Sequence, residues 1–222
     1  MNDLIFTFNN EQIKLYNALL TEDNIELNFD TDLKEQKPFA LETFNLAATK
    51  MENEAKKLLE YKKSNTAFSY SLSKDEIKEF IPAYYNAINN IYHYKKSIQE
   101  DIFALANQIN VADKICADIS QRYSKFLPYK AALYNRKEYS YKIEQIDQEF
   151  SKSIQNAQNH KKELLFYFNI ENSLCDIVSD FFQKSSIATN EPKFENLNTK
   201  ELFLSIDSFI EQINTIIKQK EM

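Results

Sequence analysis

The stretch Ile77–Phe126, IKEFIPAYYNAINNIYHYKKSIQEDIFALANQINVADKICADISQRYSKF, decides how this chain is read. Every seventh residue from Ile77 is apolar or aromatic: Tyr84, Ile91, Ile98, Leu105, Ala112, Ile119 and Phe126. A second row runs four residues behind, through Ile81, Ile88, Lys95, Ile102, Ile109, Cys116 and Tyr123. Fourteen of these fifteen positions suit a core, and Lys95 is the exception. Residues spaced alternately four and three apart share one face of an α-helix. A repeat held in one register over seven heptads is the pattern of helices packed along their length. At about 1.5 Å per residue, fifty residues of helix extend roughly 75 Å.

The surroundings of this run supply its boundaries. Ser73-Lys74-Asp75-Glu76 reads as a capping box, the serine accepting from the third amide and Glu76 reaching back. Pro82 lies early in the run, where a missing N–H predicts a kink. Pro128 breaks the register, and the apolar rows resume shifted by one residue. One resumed row is Ile143, Phe150, Ala157 and Leu164, and the other is Tyr139, Ile146, Ser153, His160, Tyr167, Leu174 and Phe181. Either a helical-hairpin turn at Pro128 or a strong kink in one very long helix satisfies that shift. Leu164–Phe182 is the most apolar part and is expected to be the best-buried helix.

Outside this region the elements are shorter. Pro38 opens a helix whose stripe is Phe44, Ala48, Met51, Ala55, Leu58 and Lys62, ending near Thr66. Asn198 or Thr199 caps a last helix with the stripe Leu202, Ile206, Phe209, Ile213 and Ile216. Residues 1–37 are the least regular: Leu4–Phe8 and Ile25–Phe29 have strand-like patterns, Glu11–Leu20 a helical one, and Thr21–Glu35 is acidic. The expected organisation is an irregular N-terminal arm (1–37), a long helical bundle (38–187), a linker (188–198) containing Pro192, and a C-terminal helix (199–222) packed on the bundle. The fold class is all-α, an elongated antiparallel coiled-coil bundle with long kinked helices. Stripes of this kind bury themselves only against each other or against another chain.

Composition narrows the chemistry. The chain of 222 residues contains no glycine. Phosphate loops, the dinucleotide fingerprint and the nucleophile elbow all use glycine for close backbone approach, so none of them is present as usually written. The abundance of Lys over Arg, with many Asn, Ile, Phe and Tyr, also reads as an AT-rich coding bias. The net charge of −6 argues against nucleic acid as a partner. Only two histidines occur: His93, outside the core rows and read as a surface residue, and His160, on a core row and read as a half-buried one. Together with the distant Cys116 and Cys175 they have no zinc-site spacing, and no Glu-x-x-His pair suggests a di-iron site. The cysteines read as small, reduced hydrophobes rather than a disulfide. No catalytic residue, metal, cofactor or small-molecule substrate is therefore expected. Met1–Asn10 lacks the pattern of a signal peptide, and no run of 18 apolar residues occurs, so a cytoplasmic protein, soluble or peripheral at a membrane, is expected.

One segment stands apart in charge. Arg122, Lys125, Lys130, Arg136, Lys137 and Lys142 face a single acid, Glu138, so residues 122–142 carry a net +5 within an acidic chain. Both arginines of the protein lie here, interleaved with Tyr123, Tyr129, Tyr134, Tyr139 and Tyr141. Basic residues among amphipathic rings suit anionic lipid headgroups or an acidic protein partner. A weaker cluster is Lys56-Lys57 with Lys62-Lys63.

Tyr129-Lys130-Ala131-Ala132-Leu133-Tyr134-Asn135-Arg136-Lys137-Glu138-Tyr139, followed by Lys142-Ile143-Glu144, is similar to a tyrosine, apolar, arginine, tyrosine-glutamate run in the second BAR-domain helix of sorting nexins. Lys161-Lys162-Glu163-Leu164-Leu165-Phe166 loosely resembles the start of their third helix. The resemblance covers about residues 40–185. It implies a dimeric, curved helical bundle that senses or shapes membranes, with Pro128 as a kink. The functional expectation is a non-catalytic helical scaffold, a homodimer or the partner of another helical protein. It docks a membrane surface or protein partner through the basic segment. The alternative is a protein–protein adaptor or coiled-coil subunit of a larger complex, including a host- or phage-interaction factor, with no membrane role.

Overall fold

The computed structural model describes residues 8–31, 42–64, 74–185, 187 and 199–221. Among them lie five helices and no strand: α1 (Asn10–Leu19), α2 (Glu42–Ser64), α3 (Lys74–Leu133), α4 (Lys137–Lys184) and α5 (Thr199–Glu221). The chain is all-α. It divides into two compact units, one of Met1–Pro38 with Asn107–Leu164, the other of Phe39–Ala106 with Leu165–Met222. The stretch 38–187 thus contributes to both units, and the N-terminal arm belongs with the end of α3 and the start of α4.

The seven-residue row of α3 is buried at every described position. Tyr84, Ile91, Ile98, Leu105, Ala112, Ile119 and Phe126 are at most 4% exposed, and the row continues one heptad further to Leu133. The second row is different. Ile88 is buried, but Lys95, Ile102, Ile109, Cys116 and Tyr123 are half-buried. Phe103, on neither row, is 71% exposed.

In the first unit the core is Ile119, Phe126, Leu133, Ile143, Ile146 and Phe150, with Leu19 of α1. Its contacts descend α3 as they ascend α4. The Lys130 ammonium meets Asp147 at 2.7 Å, the Tyr123 ring lies 5.5 Å from Phe150, and Lys161 pairs with Asp113. Phe126 and Phe150 are 5.7 Å apart, centroid to centroid.

In the second unit Met51, Ala55 and Leu58 of α2 and Ile206, Phe209, Ile213 and Ile216 of α5 fill the core. They join the start of α3 and the end of α4 there, and α2 packs on α5. These are the stripes the spacing predicts; Phe44, Ala48, Lys62 and Leu202 lie outside the described side chains. Phe181 stacks on Phe209 at 4.1 Å and 13°, and the buried hydroxyls of Ser185 and Ser205 bond each other. Tyr61 meets Tyr84 edge-on, and the Lys50 ammonium sits over the Tyr94 ring. The best-buried part of α4 falls here, through Ile170, Leu174, Val178, Phe181 and Phe182. So does Glu171, fully buried one heptad beyond Leu164. The row that reads as ending at Leu164 continues through this carboxylate, a residue type that apolar spacing does not register.

Two expectations are corrected. Pro128 neither turns the chain nor ends the helix: α3 passes through it to Leu133. The turn comes at Tyr134–Asn135–Arg136, where the Arg136 N–H donates to the Leu133 carbonyl at 3.0 Å. The Arg136 carbonyl then accepts from Tyr139 and Ser140 and starts α4. Tyr129–Tyr139 therefore crosses a turn and is not one run of helix. Pro82 likewise lies within α3. Second, Ile25–Phe29 is extended but is no strand. Its alternation is real, with Ile25, Leu27 and Phe29 half-buried and Glu26, Asn28 and Asp30 exposed, yet it lies on helices and joins no ladder. The patterns at Leu4–Thr7, the Pro38 start, the Thr66 end, the Ser73 cap and the Pro192 linker fall outside the described residues.

The two α3 rows differ in burial enough to be separated by mutation. Ile119→Ala should cost about 2–5 kcal/mol, as deletion from a closed core does. Ile109→Ala, half-exposed, should cost under about 1.5 kcal/mol. Urea denaturation of both variants measures the difference.

Candidate docking site at the helical hairpin

The basic segment spans the end of α3, the turn and the start of α4 in the first unit. The arm meets it there. Helix α1 begins at a capping box: Asn9 accepts from the Gln12 amide at 2.8 Å, and the Gln12 side-chain oxygen accepts from the Asn9 amide at 2.9 Å. The same Gln12 donates through Nε2 to the Ser124 carbonyl at 3.1 Å. Ser124 stands four residues before Pro128, so its carbonyl is the one that the proline deprives of a helical N–H. Gln12 supplies that missing donor.

Both arginines hold the arm. Arg136 donates to the carbonyls of Leu19 (3.4 Å), Leu20 (3.0 Å) and Glu22 (2.7 Å), closing the C-terminal end of α1. Carbonyls at a helix end carry partial negative charge and lack helical partners, so a guanidinium suits them. Arg122 pairs with Asp118 one turn back at 2.9 Å, and reaches the Asp30 carboxylate at 3.4 Å and its carbonyl at 3.1 Å. The Tyr139 hydroxyl accepts from the Ile25 amide at 3.1 Å and lies 3.5 Å from the Asp23 carbonyl. Phe29 sits edge-on to Phe126 (5.1 Å) and Tyr129 (5.0 Å), and Thr31 donates to Glu149.

Lys130 is also engaged. Its ammonium and the Tyr123 hydroxyl both bond Asp147, at 2.7 and 2.8 Å. Burial pulls the Lys130 ammonium down, but the Asp147 hydrogen bond and the neighbouring Tyr123 outweigh it and leave it above its ordinary value. Burial and the carboxylate together push Tyr123 up. Ammonium and neutral phenol are thus both favoured in the folded chain.

Of the six basic residues, the structure therefore commits Arg122, Lys130 and Arg136 to the chain's own groups. Lys125, Lys137 and Lys142 are exposed. Tyr134 and Tyr141 stand out with them near the turn, 53% and 79% exposed. Residues 8–31 contain five acids (Glu11, Glu22, Asp23, Glu26, Asp30) and one base, Lys14, a net −4. Laid against the +5 of residues 122–142, they leave +1. The arm residues Gln12, Leu19 and Phe29 are absent from the reading of the sequence as site residues. The local signals for them are the Asn9-x-x-Gln12 spacing and the alternation of Ile25, Leu27 and Phe29.

The other candidates are bland. His93 is exposed, its ring beside Tyr92, and His160 is half-buried. Both cysteines are free. Cys116 is half-buried with its thiol pushed up by burial. Burial pushes the Cys175 thiol up to about 11, against the nearby Lys95 ammonium. Lys56 and Lys57 pair with Glu52 and Glu54 on their own helix. Among the described residues no group of three His, Cys, Asp or Glu is placed to hold a metal, and no helix is long and apolar enough to cross a membrane.

Comparison with protein-family models, with curated proteins and with solved structures finds no match to this chain.

Arg136→Ala should release the end of α1 and leave the hairpin folded. Hydrogen exchange at amides 10–20 should rise at least tenfold, with amides 143–150 unchanged.

Proposed function

We propose that this chain is a non-catalytic helical scaffold that docks reversibly on an anionic membrane surface through the exposed remainder of its basic segment. The observation that carries the reading is the exposure of Tyr134 and Tyr141 beside Lys137 and Lys142 near the α3–α4 turn. Tyrosine suits the headgroup layer, apolar in its ring and polar at its tip, and lysine reaches phosphate from a flexible stem. Each basic residue near such a surface contributes about 1 kcal/mol, so Lys125, Lys137 and Lys142 together supply about 3 kcal/mol. That magnitude gives weak, salt-sensitive docking. Co-sedimentation with phosphatidylserine vesicles tests it. Neutralising all three lysines to glutamine should lower partitioning about 100-fold, and equal binding by the triple variant would remove the lipid role.

A second reading, a homodimer or an adaptor pairing with another helical protein through coiled-coil contacts, is favoured by the second row of α3. Ile109 and Cys116 in the first unit are half-buried at heptad positions, where a further helix would cover them. Light scattering should give twice the chain mass, and Ile109→Glu should return it to one. A wild-type monomer at all concentrations would exclude self-pairing.

A further inference from the structure

The arm's extended part behaves toward the hairpin as a bound peptide does. We infer that the hairpin face under Ile25–Asp30 is an acceptor site for an extended acidic segment of a partner protein, and that the arm is its resident occupant. This goes beyond the membrane reading and uses other residues.

The chemistry is specified position by position. Ile25, Leu27 and Phe29 turn alternate side chains onto the hairpin, and Phe29 enters between Phe126 and Tyr129. Glu26 and Asn28 point away. Asp30 ends the run on the Arg122 guanidinium. The pattern is thus apolar, any, apolar, any, aromatic, acid. An extended peptide read by pockets for alternate side chains and by a charge at one end is a recurring recognition mode.

The hydrogen bonds and ring contacts named above for residues 22–31 use side chains of the hairpin: Arg122, Arg136, Tyr139 and Glu149, with the rings of Phe126 and Tyr129. Those side chains sit on two helices that also pack on each other through Ile119, Phe126, Ile143, Ile146 and Phe150. The acceptor side chains are thus carried by a hairpin whose two helices hold each other through the Phe126–Phe150 ring contact and the Lys130–Asp147 pair, neither of which involves the arm. The arm's polar ties are largely solvent-exposed, and exposed pairs of this kind hold weakly. What favours the arm is its attachment to the same chain, which gives it an effective concentration in the millimolar range. A free segment of the same chemistry is excluded in proportion to how fully the arm occupies the face, and gains access as the arm weakens.

The probe is a fluorescein-labelled peptide with the sequence of residues 22–31, titrated by anisotropy against the full-length chain. Phe29→Ser with Asp30→Lys weakens the resident arm and leaves the acceptor intact. This variant should bind the peptide at least tenfold more tightly than the unaltered chain. Arg122→Glu added to it should remove at least tenfold of that affinity, and a scrambled peptide of the same composition should not compete. If circular dichroism shows the double variant unfolded, Asp30→Lys alone, at an exposed position, decides, with a gain of threefold or more expected. No gain, or equal binding of the scrambled peptide, overturns the acceptor site. Loss of binding on Lys137→Glu with Lys142→Glu but not on Arg122→Glu also overturns it, and places the peptide on the membrane-docking lysines instead. Dimerisation of the unaltered chain in light scattering, lost in the double variant while the peptide does not bind, would assign the face to a second copy's arm and overturn the partner.

Discussion

The buried row of α3 is the constraint on which everything else rests. From Tyr84 to Leu133 one residue in seven is closed off from water, whichever other helices surround it. In the second unit α2, α4 and α5 provide the cover, and in the first α1, the extended arm and α4 do. Burial of a Leu, Ile or Phe side chain contributes about 1.5–3 kcal/mol, so each Leu, Ile or Phe of the row is worth more than a typical surface ion pair. The polar features are arranged around that row. Lys95 falls on the second row, where burial is only partial, and Glu171 lies across on α4, both of them beside Cys175.

The first unit shows how a local defect in such a helix is repaired from far away. Pro128 removes one donor from α3, and the orphaned Ser124 carbonyl takes its bond from Gln12, 112 residues earlier in the chain. Gln12 is available because it is already fixed by the capping box that starts α1. At the other end of α1 the exposed carbonyls are closed by Arg136, which also starts α4 through its own carbonyl. A short helix of ten residues, marginal by itself, is held at both ends by the hairpin. It in turn satisfies a bond that α3 cannot make alone.

The same arrangement changes the meaning of the basic segment. Its charge is a property of composition, but its availability depends on what lies over it. Arg122 and Arg136 face carbonyls and a carboxylate of the arm, and Lys130 faces Asp147, so half of the basic groups are already neutralised within the chain. What is left for a surface is three lysines and two tyrosines. The arm side and the lysine side therefore present different chemistries, one of aromatic rings with an arginine, the other of exposed lysines and tyrosines.

Much of the fold was legible in the residues alone. The first α3 row, the α2 stripe at Met51, Ala55 and Leu58, and the α5 stripe at Ile206, Phe209, Ile213 and Ile216 all follow from helical spacing, because burial on one face requires that period, whereas the second α3 row beyond Ile88 is only half-buried. The alternation of Ile25, Leu27 and Phe29 was legible as well, though not that helices would receive it. The turn at Tyr134–Arg136 was not, since it lacks glycine and proline, while the visible proline at 128 lies inside the helix. Six basic residues could be counted from the sequence, but their partners could not. Sequence by itself determined an all-α chain with long amphipathic helices and one basic, tyrosine-rich segment. Only the tertiary structure decided where the chain turns and which charges remain exposed, because both depend on contacts between residues 17 to 117 positions apart.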